Sequence, residues 1–354
     1  MSVKIIEQDL HSSFQTVIAD SAANDRPLKI VGGGSKSFYG NVSQGEVLDV
    51  AGHSGVIDYD PAELVITLRG GCKLVDVEAL LAEHGQMFAF EPPKFSDRAT
   101  IGGMVASGLA GPRRAFAGGI RDAILGVKIL DGRGEVLNFG GRVIKNVAGF
   151  DVARLMVGTM GTMGVLLEVS LRVIPCHETE TTLSFAHETA EQHIEWINQL
   201  GGQPLPISAS VWHDGQTQIR LSGSELGVQS AVKKLGGDRV EPAWSELHEL
   251  KHGFFNEQSE IGRISIAPAL EFSLNRTQLI EWGGAQRWIT GDFDAVRLRE
   301  RLQDRQGGFC LFHSKTDQPS FQPLDELSLT LHRNLKSKFD PARIFNRDRL
   351  YPGL

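Results

Sequence analysis

A two-part α+β fold is predicted by three features of the sequence. Between Gly32 and Gly164, glycines cluster at the ends of short runs rich in β-branched residues, the pattern of strands closed by tight turns. A helix-like stretch at 73–86 interrupts those runs, so this first part is mixed. After Pro175 the glycine clusters thin and helical segments alternate with short strands, which marks a second part; 354 residues also exceed what one small core accommodates.

Taken in order, ELVITLRGG (63–71), AILGVKILDGRGEVLNFG (123–140) and VGTMGTMGVLLEVSLRVIP (157–175) read as strands with glycine turns. KLVDVEALLAEHGQ (73–86) reads as a helix with Val75, Leu80 and Leu81 on one face, Asp76 and Glu78 near its start, and Gly85 stopping it. Beyond Pro175, the strands PISASVWHD (206–214), TQIRLSGS (217–224) and RISIAPALEFSL (263–274) mix with the helices ETAEQHIEWINQLGG (188–202), LGVQSAVKKLGG (226–237) and DFDAVRLRERLQDRQGG (292–308). A smaller sheet covered on one side by helices is expected there. The last segment opens as an amphipathic helix and breaks at Asp340-Pro341, where proline cannot continue the ladder. The expected division is 1–175, 176–310, and a segment 311–354 that returns to the first domain. No internal repeat is visible beyond GTMGTMG (158–164).

Composition narrows the function. Apolar residues are 41% and charged residues 22% of the chain, with net charge −7, so no global basic field recruits nucleic acid or anionic lipid. No basic segment followed by an apolar core opens the chain and no long apolar run follows, which leads to the expectation of a cytoplasmic protein. Cys72, Cys176 and Cys310 are far apart and supply no disulfide framework, structural zinc or iron–sulfur ligand set. No metal site is expected.

KIVGGGSKSFYG (29–40) carries the chemistry. A Walker A loop needs glycine directly before its lysine, and Ser35 stands there; a dinucleotide fingerprint needs a third glycine where Ser37 stands. What remains is a backbone nest: successive N–H groups of 32–37 converging on a diphosphate, with the Ser35 and Ser37 hydroxyls as further donors. A plain glycine-rich turn competes with that reading. Two more clusters weigh against it: EPPKFSDRATIGGMVASGLAGPRR (91–114), with small Ala106, Ser107 and Gly108, and the glycines at 158, 161 and 164 before a strand. A long dinucleotide threaded past all three explains them together.

VGGGSKS, ATIGGMVASGLAG, the stretch from GGIRDAILGV to SLRVIP, and the terminal LKSKFDPARIFN resemble, in order and spacing, the FAD-linked oxidases of the vanillyl-alcohol-oxidase (PCMH) type, nearest to the FAD-binding E subunits of bacterial glycolate oxidases. The resemblance is strong over 27–175, weak over 180–310, and returns at 331–350. It implies a two-lobed FAD-binding domain plus a smaller α+β, ferredoxin-like cap domain. It implies FAD contacts from Val31, Gly32, Gly33, Gly34, Ser35, Lys36 and Ser37 to the diphosphate, and from Pro93, Thr100, Ile101, Gly102, Gly103, Ser107 and Gly108 along the ribityl and flavin region. Gly161, Thr162, Gly164 and Val165 are placed near adenine or ribose.

Arg121-Asp122 match the family's Arg-Asp pair and are expected to form a structural ion pair, with Lys145 likewise structural. The glycine loop lacks the histidine through which relatives bind FAD covalently, so FAD is expected to be non-covalent. In the second domain only FCLFHSKTD (309–317) offers His313 and Lys315 for a carboxylate, against the reading of an ordinary loop histidine. No catalytic residue is assigned. The resemblance implies a glycolate dehydrogenase subunit whose partners are a larger FAD-containing subunit and an iron–sulfur subunit, with a 2-hydroxy acid as substrate and membrane contact only through the complex. A free-standing D-lactate-type dehydrogenase and a flavin-stabilised structural subunit are the alternatives. An exposed apolar patch on the second domain is expected to meet the partners.

Overall fold

The computed structural model describes residues 5–141, 151–241, 243–255, 260–268, 270, 272–274, 276–313 and 318–354. These divide into two compact units, the first from 1–109, 119–176 and 323–354, the second from 110–118 and 177–322.

In the first unit, helix α1 (His11–Ala23) and the parallel pair β1 (Leu28–Val31) and β2 (Glu46–Asp49) adjoin a five-stranded antiparallel sheet. Its strands are β3 (Val56–Asp60), β4 (Val65–Arg69), β5 (Ile124–Leu130), β6 (Val136–Gly140) and β7 (Val165–Arg172), in the order β3-β4-β7-β5-β6. Phe14 and Ile18 of α1, Leu28, Leu48, Leu130, Val165, Leu167, Ile344 and Phe345 form one core, each large side chain contributing roughly 1.5–3 kcal/mol by burial. Helix α2 (Leu74–Glu83) has Asp76 in its first turn and is followed by Gly85 at φ +64°. Its buried face is Leu74, Val77 and Leu81 rather than Val75 and Leu80 with Leu81: positions i, i+3 and i+7 share a face, whereas residues five apart do not.

The second unit carries one antiparallel sheet of eight strands, larger than the first sheet and not smaller as expected. Its strands are β8 (Thr179–Ala186), β9 (Ile207–His213), β10 (Gln216–Gly223), β11 (Asp238–Arg239), β12 (Ile261–Ser265), β13 (Leu279–Glu281), β14 (Gln286–Thr290) and β15 (Gly308–His313), and the order is β11-β8-β10-β9-β13-β14-β12-β15. With helices α4 (Ala190–Gly201) and α5 (Glu225–Leu235), the first half runs β8-α4-β9-β10-α5-β11, the split βαβ arrangement of ferredoxin-like folds. Read from the other edge, β15-β12-β14-β13 repeats the same order, with helix α6 (Ala295–Gln303) before its last strand. The halves join through the antiparallel pair β9–β13. The unit is therefore a structural repeat that the sequence did not display. Side chains fill two cores on one face of the sheet, one under α4 and α5 and one under α6. Among the described residues its exposed large apolar side chains are Phe116, Leu226, Leu270 and Val296.

Thr189 caps α4 by accepting from the Gln192 N–H at 3.2 Å, and the Gln192 side chain reaches back to the Thr189 N–H. One turn on, His193 is wholly buried with Nδ1 2.9 Å from the Thr217 hydroxyl and no partner at Nε2. Burial first, then the neighbouring His187 and Arg287, pushes its pKa down to about 3. The unfolded chain takes up this proton near pH 6.5 and the folded chain does not, so stability is lost as pH falls from about 6.5 toward 3, on the order of 1 kcal/mol per pH unit. His193→Gln is expected to flatten the fall in melting temperature between pH 6.5 and 4; a slope equal to the parent's would contradict the assignment.

Candidate functional site

Strand β1 ends at Val31, paired with Asp49, and the chain then leaves the sheet through Gly32-Gly33-Gly34. The Ser37 N–H donates to the Gly34 carbonyl at 3.2 Å, closing a turn in which Gly34 sits at φ +67°. The amides of Gly33, Gly34 and Ser35 donate to no group among the described residues. Three such donors on a loop without side-chain bulk form an anion cradle, and the donor set fits a diphosphate. The Ser37 hydroxyl is turned inward to the Gly34 carbonyl, and the Ser35 hydroxyl accepts from the Lys36 ammonium at 3.4 Å. Backbone rather than both hydroxyls supplies the donors.

Glycines 32 and 33 face protein. A Cβ on Gly33 would lie 1.4 Å from the Arg98 carbonyl oxygen, and one on Gly32 would lie 2.5 Å from the Thr100 hydroxyl. The loop is thus pressed against 98–100, where extended Thr100 caps the short helix α3 (Ile101–Ser107) by accepting from the Gly103 N–H at 3.1 Å. Gly102 lets α3 approach Gly70, whose carbonyl accepts from the Gly102 N–H at 2.7 Å. Beyond α3, the Gly158 and Met160 amides donate to Val105 and Ala106, and Gly108 meets Gly158 backbone to backbone. The three glycine clusters therefore pack on one another.

The C-terminal segment completes this region. Asn346 accepts from the Ile30 N–H at 2.8 Å and donates to the Met160 carbonyl at 2.6 Å, bridging β1 to the 158–164 loop. Arg349 donates to the carbonyls of Ser37, Tyr39 and Asn41 and holds the end of the glycine loop; burial lowers its pKa. From the helix Glu326–Phe339, buried Lys336 donates to the carbonyls of Thr162 and Phe345, both at 2.8 Å, and to Asp340 at 2.7 Å. Asp340 in turn accepts from the Ile344 and Phe345 amides.

A cleft opens among these parts. It brings together Val31, Gly32, Gly33, Gly34, Ser35, Lys36, Ser37, Thr100, Gly103 and Ser107 from the expected set. Its other lining residues, Lys29, Ile30, Ala106, Met160, Asn346 and Arg349, lie outside that set. A polar Asn and Arg just after the DPAR break were the available signal for the last two. Pro93, Ile101, Gly102, Gly108, Gly161, Thr162, Gly164 and Val165 do not line the cleft. Ile101 and Val165 are buried core, the Thr162 hydroxyl donates to Thr159, and a Cβ on Gly161 or Gly164 would strike Asn346 or the Leu130 carbonyl. Lys29, Lys36 and Arg349 make the cleft cationic, with Lys36 also 5.7 Å from the Phe95 ring.

Other candidates stand apart. His53 is buried, its Nδ1 accepting from the Leu10 N–H at 3.0 Å, and Cys72 is buried against Ser54 and Gly55, so neither offers an attachment point in the cleft. Arg121 and Asp122 do not pair: both are exposed, and Asp122 instead accepts from the Gly119 N–H, capping a single helical turn. His313 ends β15, half-buried. Lys145 and Lys315 lie outside the described residues. Among the described residues no group of three His, Cys, Asp or Glu could hold a metal, and no helix is long and apolar enough to cross a membrane.

Residues 8–140 match the family described as FAD binding domain. The chain is 41% identical over 353 residues to glycolate oxidase subunit GlcE of Escherichia coli K12, covering 98% of this chain and 99% of that protein. Glycolate oxidase subunit GlcD of Bacillus subtilis is 27% identical over half of this chain and 38% of its own length, and a D-lactate dehydrogenase of Archaeoglobus fulgidus is 25% identical over 59% of this chain and 44% of its own. Among solved structures, alkyldihydroxyacetonephosphate synthase superposes with a TM-score of 0.67 over 99% of this chain and 76% of that one, at 13% identity, a likeness of fold alone.

Proposed function

The chain belongs to the family of the FAD-binding glycolate oxidase subunit GlcE, and on that premise we propose that it is the FAD-binding subunit of a complex that oxidises glycolate, with D-lactate as a second substrate, to the 2-oxo acid. The observation that carries the reading is the loop 31–37, which lines a cationic cleft and whose amides at Gly33, Gly34 and Ser35 donate to no group among the described residues. In this reading those amides receive the FAD diphosphate without a covalent bond. Lys29 and Lys36 balance its charge, and Thr100, Gly103 and Ser107 border the ribityl chain. Gly102, Gly108, Gly161 and Gly164 serve by packing, as do Pro93, Ile101, Thr162 and Val165. Bound FAD supplies the electron-pair acceptor for oxidation of the C–H bond.

The larger flavin subunit and an iron–sulfur subunit are the partners in this reading, and any contact with the inner face of the membrane comes through them. The first unit is the FAD domain and the second is the cap on the substrate side. A tagged chain purified from its native host is expected to bring down both partners, and deletion of its gene to abolish glycolate-dependent dye reduction in extracts. Recovery of the chain alone, with glycolate or D-lactate oxidised by it unaided, would replace this reading with a free-standing dehydrogenase.

A further inference from the structure

The turn that follows the glycine loop is gathered onto one side chain. The carbonyls of Lys36, Ser37 and Tyr39 accept from Nη2 of Arg349 at 3.3, 3.0 and 2.6 Å, and that of Asn41 accepts from Nη1 at 2.6 Å. Asn41 closes the contact from its own side. Its N–H donates to the Arg349 carbonyl at 3.0 Å, and its Nδ2 donates to the Asp348 and Leu350 carbonyls at 2.9 and 3.3 Å. Residues 36–41 and 348–350 therefore interlock through donors running in both directions. Gly40, at φ +90°, permits the approach: a Cβ there would lie 3.1 Å from the Arg349 carbonyl oxygen and 3.1 Å from the Met160 methyl.

Arg349 forms no ion pair among the described residues. A guanidinium that directs its fork at carbonyls shapes a loop instead of neutralising an acid, and a lysine ammonium lacks the planar fork to do the same. The segment that delivers it is bent into unusual backbone. Arg343, Asn346 and Asp348 have φ of +52°, +40° and +64° in a stretch, 343–348, without glycine, and such conformations persist only where contacts over-determine them. Asn346 supplies three of those contacts, through its N–H to the Leu28 carbonyl and its side chain to Ile30 and Met160; the interlock with 36–41 supplies the rest. At the other end, the Ser37 N–H donates to the Gly34 carbonyl, so the gathered turn is tied directly to the cradle amides of Gly33, Gly34 and Ser35. Arg349 borders the cleft, whereas Asn41 does not.

We infer that Arg349 and Asn41 are positioning residues for the cofactor: they fix 36–41 so that the cradle amides stay convergent, and they couple FAD binding to closure of 343–350 on the glycine loop. The inference rests on reading the cleft as the FAD site. Coupling is reciprocal, so FAD must tighten the distant segment as much as that segment tightens FAD. FAD-free parent, Asn41→Ala, Arg349→Lys and the double variant are titrated with FAD at about 0.05 M and about 0.3 M salt, with far-UV circular dichroism reporting the fold. Each single variant is expected to bind FAD about tenfold more weakly at both salt concentrations. The double variant should lose no more than about that, because both changes break the same interlock. In the parent, FAD should slow hydrogen exchange at 348–350 as well as at 33–41; in either variant, saturating FAD should leave 348–350 unprotected. Parental affinity in either folded variant, strict additivity of the two, or FAD protection in the parent that stops at 33–41 overturns the inference. So does a loss in Arg349→Lys that appears only at the higher salt, which would make Arg349 a plain counter-charge. Should Arg349→Lys fail to fold, Asn41→Ala and the parent's exchange decide alone. A parent chain that binds no FAD overturns the reading of the cleft, and the inference with it.

Discussion

Gly33→Val is expected to purify without flavin, while the parent releases all of its FAD into the supernatant on acid precipitation. The side chain has nowhere to go: its first carbon would sit 1.4 Å from the Arg98 carbonyl oxygen and 2.3 Å from the carbonyl carbon. That strand of backbone cannot retreat cheaply, because Leu74 donates to the Ala99 carbonyl and Thr100 caps α3 next to it. The loop must therefore move away from 98–100, which disperses the amides of Gly33, Gly34 and Ser35. A loss of FAD affinity above a hundredfold, about 3 kcal/mol, is expected. Gly33→Ala should behave alike, since the clash is with Cβ. Gly34→Ala meets only ordinary contacts, the Ser37 hydroxyl at 3.7 Å and Val31 at 4.0 Å, and bears a left-handed φ of +67°, about 1–2 kcal/mol of strain, so it should retain flavin weakly. Equilibrium titration with FAD measures all three, with far-UV circular dichroism reporting the fold. Parental flavin content in Gly33→Val would remove the loop from the cofactor site.

That result also shows where sequence reasoning reaches and where it stops. The clustering of glycine in VGGGSKS, TIGGM and GTMGTMG was legible, and the cleft did form around the first two. Their reason was not. Gly33 and Gly102 are small because other backbone approaches them, and the approaching residues, Arg98 and Gly70, are not adjacent in sequence. Asn346 is 316 residues from Ile30 and 186 from Met160, and Arg349 is 312 from Ser37, separations no local pattern reports.

The repeat in the second unit stayed hidden for a related cause. It lies in strand order and hydrogen-bond register, and among the described residues its second copy shows no helix between its first two strands. Pattern reading recovers which strands exist, whereas their neighbours are set by long-range pairing. Helix α2 shows the same limit at short range: its existence and stop were plain, but which of its faces is buried, that of Leu74, Val77 and Leu81, is set by what packs against it.

Lys336→Met should destabilise the first unit by about 3–5 kcal/mol, the usual cost of removing one partner from a buried pair. Both Lys336 and Asp340 are essentially fully buried. The ammonium donates all three protons, to Thr162, Phe345 and Asp340, and Asp340 accepts from the amides of Ile344 and Phe345. Burial lowers the Lys336 pKa, with the Asp340 charge acting against it. Without the lysine, a carboxylate and two carbonyls are left short of donors in the core, and the turn that carries Asn346 into the cofactor cleft loses its anchor. A fall in melting temperature of roughly 10 °C follows for a unit of this size, insensitive to salt because the pair is shielded from it. Adding Asp340→Asn to Lys336→Met should cost less than the sum of the two single changes, because each alone strands the other. FAD affinity should weaken along with stability, since the same lysine holds the carbonyl of Thr162 beside Met160 and Asn346. A melting temperature within 2 °C of the parent, or strict additivity of the two substitutions, would show that the C-terminal segment is held by its apolar contacts through Ile344 and Phe345 and that the buried pair contributes nothing.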